Sequence, residues 1–122
     1  MTDRITEWWL VRHAPTVNPG KTVYGALDLD IELPPPETFE ALSAMLPADP
    51  VWMVSNLSRT RKTLDGILAV RDIRAVEVHI EPDFAEQHFG EWEGRPSADV
   101  WAEIRDADKS WPAKVFRRWP RG

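Results

Sequence analysis

Arg12 and His13 stand side by side at the end of the apolar run Glu7–His13. A neutral imidazole is nucleophilic at neutral pH, and a guanidinium beside it offers a planar fork that matches phosphate oxygens. Together they could accept and hold a phosphoryl group. A second candidate is Ser55-Asn56-Leu57-Ser58-Arg59-Thr60, where free backbone N–H groups, hydroxyls and an Arg at the start of a helix would bind an anion, with Arg59 gripping the same phosphate. The plainer alternative makes Ser58 a cap and Arg59 a solvated first-turn residue, although a cation there opposes the helix dipole. The third is Glu86-Gln87-His88-Phe89-Gly90-Glu91-Trp92-Glu93-Gly94, an aromatic and acidic turn between glycines that could deliver the Glu86 carboxyl to a fixed point. A carboxyl beside a phosphate dianion keeps its proton to higher pH, which suits protonation of a leaving alkoxide. Its plainer alternative is a packed acidic loop, and Glu91 and Glu93 are expected to be solvated.

These residues need a frame. Glu7–His13 reads as a buried strand ending in a loop, and 14–36 as a long irregular segment closed by Pro34, Pro35 and Pro36. Phe39, Leu42, Met45 and Leu46 predict an amphipathic helix over 37–46, ended by Pro47. Val51–Val54 predicts a second strand and Ser58–Val70 a second helix with Leu64, Ile67 and Leu68 on one side. Val76–Ile80 predicts a third strand, with His79 as a strand residue, and Ser97–Asp106 a third helix burying Val100, Trp101 and Ile104. Alternating strands and helices imply α/β architecture, a mostly parallel sheet covered by helices, whose ligands bind beyond the carboxyl ends of the strands. Arg12-His13 and Ser55–Arg59 both fall at that edge.

The chain has 122 residues, enough for one domain, with a formal charge of −5 that disfavours nucleic acid and anionic membrane as partners. It contains no Cys, which removes thiolate chemistry and disulfides and suits a cytoplasmic, reducing setting. The beginning lacks the basic and then apolar pattern of a signal peptide, and no apolar stretch reaches membrane-spanning length. Most of the seven Trp are expected in the core or in pocket walls. Residues 109–122 differ: five Lys and Arg and no Asp or Glu surround Trp111, Phe116 and Trp119. This reads as a connecting segment cut off midway, or alternatively as an arm for an acidic partner.

Four blocks, WWLVRHAPT, YGALDLDIEL, SNLSRTRKT and EQHFGEWEG, cover 8–94 in an order and spacing that resembles the histidine phosphatase superfamily, also called phosphoglycerate mutase-like. The first block is similar to the bacterial branch that includes alpha-ribazole phosphatases. The resemblance implies a three-layer α/β/α fold, incomplete at its C-terminus. It also implies His13 as phosphorylated nucleophile, Arg12 and Arg59 as phosphate ligands, and Glu86 as proton donor. Neither metal nor cofactor is implied, and the partner would be a small phosphomonoester. Ala14 stands where the family usually has Gly. Many members carry an Asn phosphate ligand where this chain has Pro19; Asn18 lies one residue early and, with Ser55, remains a candidate phosphate contact.

The family's second pocket His has no counterpart, since His79 and His88 do not match its motif. Three readings therefore stand: a phosphomonoesterase acting through phosphohistidine, impaired by that absence; a mutase-type phosphoryl transferase; and a non-catalytic phosphate-binding fragment. A sheet without its next strand would also expose an unpaired edge through which copies could self-associate.

Overall fold

The computed structural model describes residues 3–107, and the basic, aromatic segment 109–122 lies outside the described residues. Element order is α1 (Pro36–Met45), β1 (Trp52–Val54), α2 (Ser58–Val70), β2 (Val78–Ile80) and α3 (Ser97–Ala107), with short 3-10 turns at Pro82–Phe84 and Gly90–Trp92. β1 and β2 pair in parallel, Trp52 opposite Val78 and Val54 opposite Ile80, with α2 as the crossover. The expected α/β arrangement is thus present as a small parallel sheet with helices.

The ends of α1 and the C-terminus of α2 have identifiable partners. Pro36 opens α1, where its missing N–H would lack a partner anyway, and Glu37 favours the positive end of the dipole. Its carbonyl end receives Arg71, which donates from Nε to Ser43 Oγ at 2.7 Å and from Nη atoms to the carbonyls of Ser43 and Pro47. α2 ends in a Schellman motif. Asp72 N–H donates to Ala69 O, Ile73 N–H donates to Leu68 O, and Asp72 takes the left-handed conformation at φ 53°.

The core is in two parts. Val54, Leu64 and Leu68 pack between β1 and α2, joined by Trp52, Ile73 and Val78. Trp92, 1% exposed, packs with Val100 and Ile104 of α3, and Val23 and Phe89 lean on them. Inward-facing Leu64, Ile67, Leu68, Val100, Ile104 and Phe39 agree with the helical spacing. Met45 and Trp101 are exposed, contrary to the helical pattern, while of the Trp residues Trp92 is core and Trp8, Trp9 and Trp52 line the wall of an apolar slot.

The first expected strand is not formed. Residues 7–13 carry no ladder partner among the described residues, and Leu10 is 92% exposed. A strand exists only when a neighbour satisfies its backbone, and β1 has no second partner either among the described residues. Between the two segments lies an apolar slot of about 820 Å³, floored by Leu64 and Ile67 of α2.

Candidate active site

The long segment after His13 is irregular but fastened. Its base closes where Val17 N–H donates to Asp30 O at 2.8 Å and Glu32 N–H donates to Pro15 O at 2.7 Å. Its far side is zipped to 94–97 through Val23 N–H to Arg95 O and Gly94 N–H to Val23 O. Three residues of α2 then pin the stretch 25–30. Asp28 Oδ1 accepts from Ser58 N–H at 2.9 Å and Ser58 Oγ at 2.7 Å, Lys62 Nζ donates to Asp30 Oδ1 at 2.6 Å, and Arg59 donates to Gly25 O and Leu27 O. The Ser58 hydroxyl holds the Asp28 carboxyl below its ordinary value against an opposing desolvation, with further help from the Ser58 N–H and the charges of Arg59 and Lys62. The Lys62 ammonium does the same for Asp30. An aspartate of the chain itself therefore occupies the anion-attracting end of α2.

His13 is half-buried, and its Nδ1 lies 2.7 Å from Ala14 O. A carbonyl can only accept, so Nδ1 is the donor, and in the neutral imidazole the lone pair is therefore on Nε2. Ala14 N–H in turn donates to Thr63 Oγ1 at 2.9 Å, and Thr63 Oγ1 donates to Arg59 O at 2.8 Å. Arg12, His13 and Glu86 line one cavity of about 470 Å³ with Tyr24, Gly25 and Phe89. Glu86 is exposed and accepts from Gln87 N–H at 3.0 Å.

The other expected ligands lie outside that cavity. Arg59 is 1% exposed rather than solvated, its guanidinium is committed to loop carbonyls and lies over the Tyr24 ring, and its Nε has no partner among the described residues. Asn18 closes its own turn, donating to Thr22 O and accepting from Thr22 N–H. Ser55 accepts from Leu57 N–H at 3.2 Å and faces the apolar slot, which His13 also touches. His79 lies on β2, and His88 accepts from Gly90 N–H at 2.8 Å through Nδ1. Glu91 is exposed as expected, but the Glu93 side chain is 5% exposed and accepts from Ala26 N–H at 2.8 Å and Phe89 N–H at 3.1 Å. The composition of its block concealed this. A carboxylate next to the buried Trp92 and the left-handed Gly94 was the available signal.

An imidazole, a guanidinium and a carboxyl at one cavity form an arrangement suited to phosphoryl transfer. Residues 8–122 match the Histidine phosphatase superfamily (branch 1). The chain belongs to the histidine phosphatase superfamily. A glucosyl-3-phosphoglycerate phosphatase of Mycolicibacterium vanbaalenii is 30% identical over 122 residues, covering 98% of this chain and 52% of the relative. An alpha-ribazole phosphatase from Shigella flexneri superposes with TM-score 0.59 at 27% identity, over 80% of this chain and 50% of that one. A mycobacterial glucosyl-3-phosphoglycerate phosphatase in complex with VO3 gives TM-score 0.62 at 22% identity, over 78% and 47%. The chain spans about half the length of these relatives, and the fold is phosphoglycerate mutase-like.

Among the described residues, no three His, Cys, Asp or Glu side chains converge to hold a metal ion. No helix among them is long and apolar enough to cross a membrane.

Proposed function

We propose that the chain carries out phosphomonoester hydrolysis through a phosphohistidine on His13. The observation that carries this reading is the hydrogen bond of His13 Nδ1 to Ala14 O at 2.7 Å, which in the neutral imidazole leaves the Nε2 lone pair for attack, on a residue that lines the cavity shared with Arg12 and Glu86. In the first step the Nε2 lone pair attacks phosphorus in line as the bond to the ester oxygen breaks, and Glu86 gives its proton to that oxygen. In the second, water attacks the phosphohistidine, Glu86 takes the water's proton, and the P–N bond breaks with its electron pair returning to Nε2. Arg12 holds the phosphate oxygens throughout. Arg59 contributes its positive charge from behind the Gly25–Leu27 loop, and Asn18 and Ser55 hold the backbone that frames the site. The substrate is a small phosphorylated ester, as the names of the similar phosphatases suggest. The Cys-free composition supports a cytoplasmic setting.

Hydrolysis of an aryl phosphate by the chain, without added divalent metal, is expected to disappear in His13→Ala. Equal rates in the two proteins would overturn the reading. A second reading, a phosphate binder that does not turn over, is favoured by the commitment of Arg59 to loop carbonyls and of the α2 N-terminus to Asp28. Acid-labile, base-stable phosphate trapped on His13 after rapid quench supports the enzyme, and phosphate binding without it supports the binder.

A further inference from the structure

We propose that Glu93 is a positioning residue whose buried carboxylate joins the two walls of the His13 cavity, fastening the Gly25–Ala26 peptide to Phe89 against the opposing grip of Arg59. The inference rests on the phosphatase reading for its catalytic consequence. The fastening itself is a matter of geometry.

Two segments far apart in sequence form these walls: Tyr24 and Gly25 on one side, Glu86 and Phe89 on the other. Glu93 Oε1 accepts from Ala26 N–H on the first wall and from Phe89 N–H on the second. Close approach is built in. Gly25 has φ +45°, and a Cβ there would lie 2.5 Å from Gln87 O and 2.7 Å from Glu93 Oε1.

The peptide that Glu93 holds is also held from its other end. Gly25 O accepts from Arg59 Nη2 at 2.5 Å, and Ala26 N–H of the same peptide plane donates to Glu93 at 2.8 Å. A buried cation thus faces the negative end of one peptide dipole, and a buried anion faces its positive end. Flipping this peptide would turn the carbonyl toward the carboxylate and the N–H toward the guanidinium, so both contacts become repulsive. The two buried charges therefore fix the orientation of the loop that carries Tyr24, and they offset each other across it. His88 Nε2, 3.7 Å from Glu93 Oε2, lies on the remaining side of the carboxylate.

The test compares Glu93→Ala, Glu93→Gln and Glu93→Asp in the full chain. Both fastening bonds end on Oε1, so Gln can keep them, Ala removes them, and Asp keeps the charge but falls short of spanning both donors. In Ala, hydrogen exchange at Ala26 N–H is expected to quicken about tenfold or more. Its cross-peaks between Gly25 Hα and the Phe89 ring should vanish, and kcat should fall about tenfold or more with a smaller change in KM. Gln should restore the exchange protection, the cross-peaks and most of kcat. Should Ala fail to fold, Asp is expected to lose the protection while keeping native circular dichroism. Unchanged exchange and cross-peaks in Ala or, where Ala does not fold, in Asp would overturn the proposal, as would Gln behaving like Ala. If the unmodified chain shows no hydrolysis, the proposed function fails, and exchange with cross-peaks still decides the role of Glu93.

Discussion

Thr63 Oγ1 accepts from Ala14 N–H at 2.9 Å across 49 residues of sequence, and this bond sets the backbone that presents His13. The hydroxyl is used twice, since it also donates to Arg59 O within α2. The imidazole is thereby referenced to a helix rather than to the loop that follows it, whose own Ala14 carbonyl fixes the tautomer.

Thr63→Val keeps the shape of the side chain and removes the hydroxyl, leaving the buried Ala14 N–H without its acceptor. The expected loss is about 1–3 kcal/mol in thermal or urea unfolding. Aryl phosphate hydrolysis should fall with it, and Thr63→Ser should restore both. A Val variant as stable and active as the parent would show that Ala14 finds another acceptor.

Gly25 and Gly94 both have positive φ, at +45° and +83°, but their surroundings differ. Nothing lies within 4 Å of a Cβ at Gly94, so Gly94→Ala is expected to cost only the left-handed strain of about 1–2 kcal/mol. At Gly25 the same strain is joined by overlap with Gln87 O, which is backbone and cannot swing away. Gly25→Ala should therefore destabilise more and force the cavity walls apart. Unfolding curves and hydrolysis rates of the two variants check the order; equal effects would remove the close approach from the account.

Acid should loosen the loop on α2. Asp28 and Asp30 have carboxyls below the ordinary value of 3.8 in the folded chain, chiefly through Ser58 Oγ and Lys62 respectively. In the window between folded and unfolded values the unfolded chain binds more protons, so stability rises with pH there. The contribution is fully present above the unfolded value and is lost as pH falls through the folded one. Asp28→Asn should flatten the pH dependence of stability in this acid window, measured as urea midpoints from pH 5 downward. A slope identical to the parent's would sink the assignment.

The parts of the fold that local pattern controls could be read from sequence. The spacing of Leu64, Ile67 and Leu68 marks α2, and its predicted bounds, Ser58–Val70, are those observed. The apolar run Glu7–His13 promises a strand equally well, yet a ladder is a relation between segments, and no pattern within the run reports whether a neighbour is present. Arg12, His13 and Glu86, expected to act together, do line one cavity. Thr63, Asp28 and Glu93 were not legible, because each acts on backbone groups at least 30 residues away or, for Glu93, both there and nearby. Arg59 shows the same limit: the dipole cost of a cation in the first turn was visible, whereas the loop carbonyls and Tyr24 ring that offset it were not.

Gly66 lies in α2 against Phe39 of α1, and a Cβ there would lie 2.6 Å and 2.7 Å from two edge carbons of the buried ring. Helix propensity alone favours Ala over Gly by about 1 kcal/mol. The contact opposes it, because the ring is packed between the helices and must move as a body. Gly66→Ala is therefore expected to lower the unfolding midpoint despite the propensity gain, whereas in a Phe39→Leu background, with a smaller side chain opposite, the same change should be neutral or stabilising. The double-mutant cycle then gives a coupling of opposite sign to the propensity term. If Gly66→Ala stabilises the chain with Phe39 intact, α1 moves freely enough to make room, and the close α1–α2 approach at this position is not under strain.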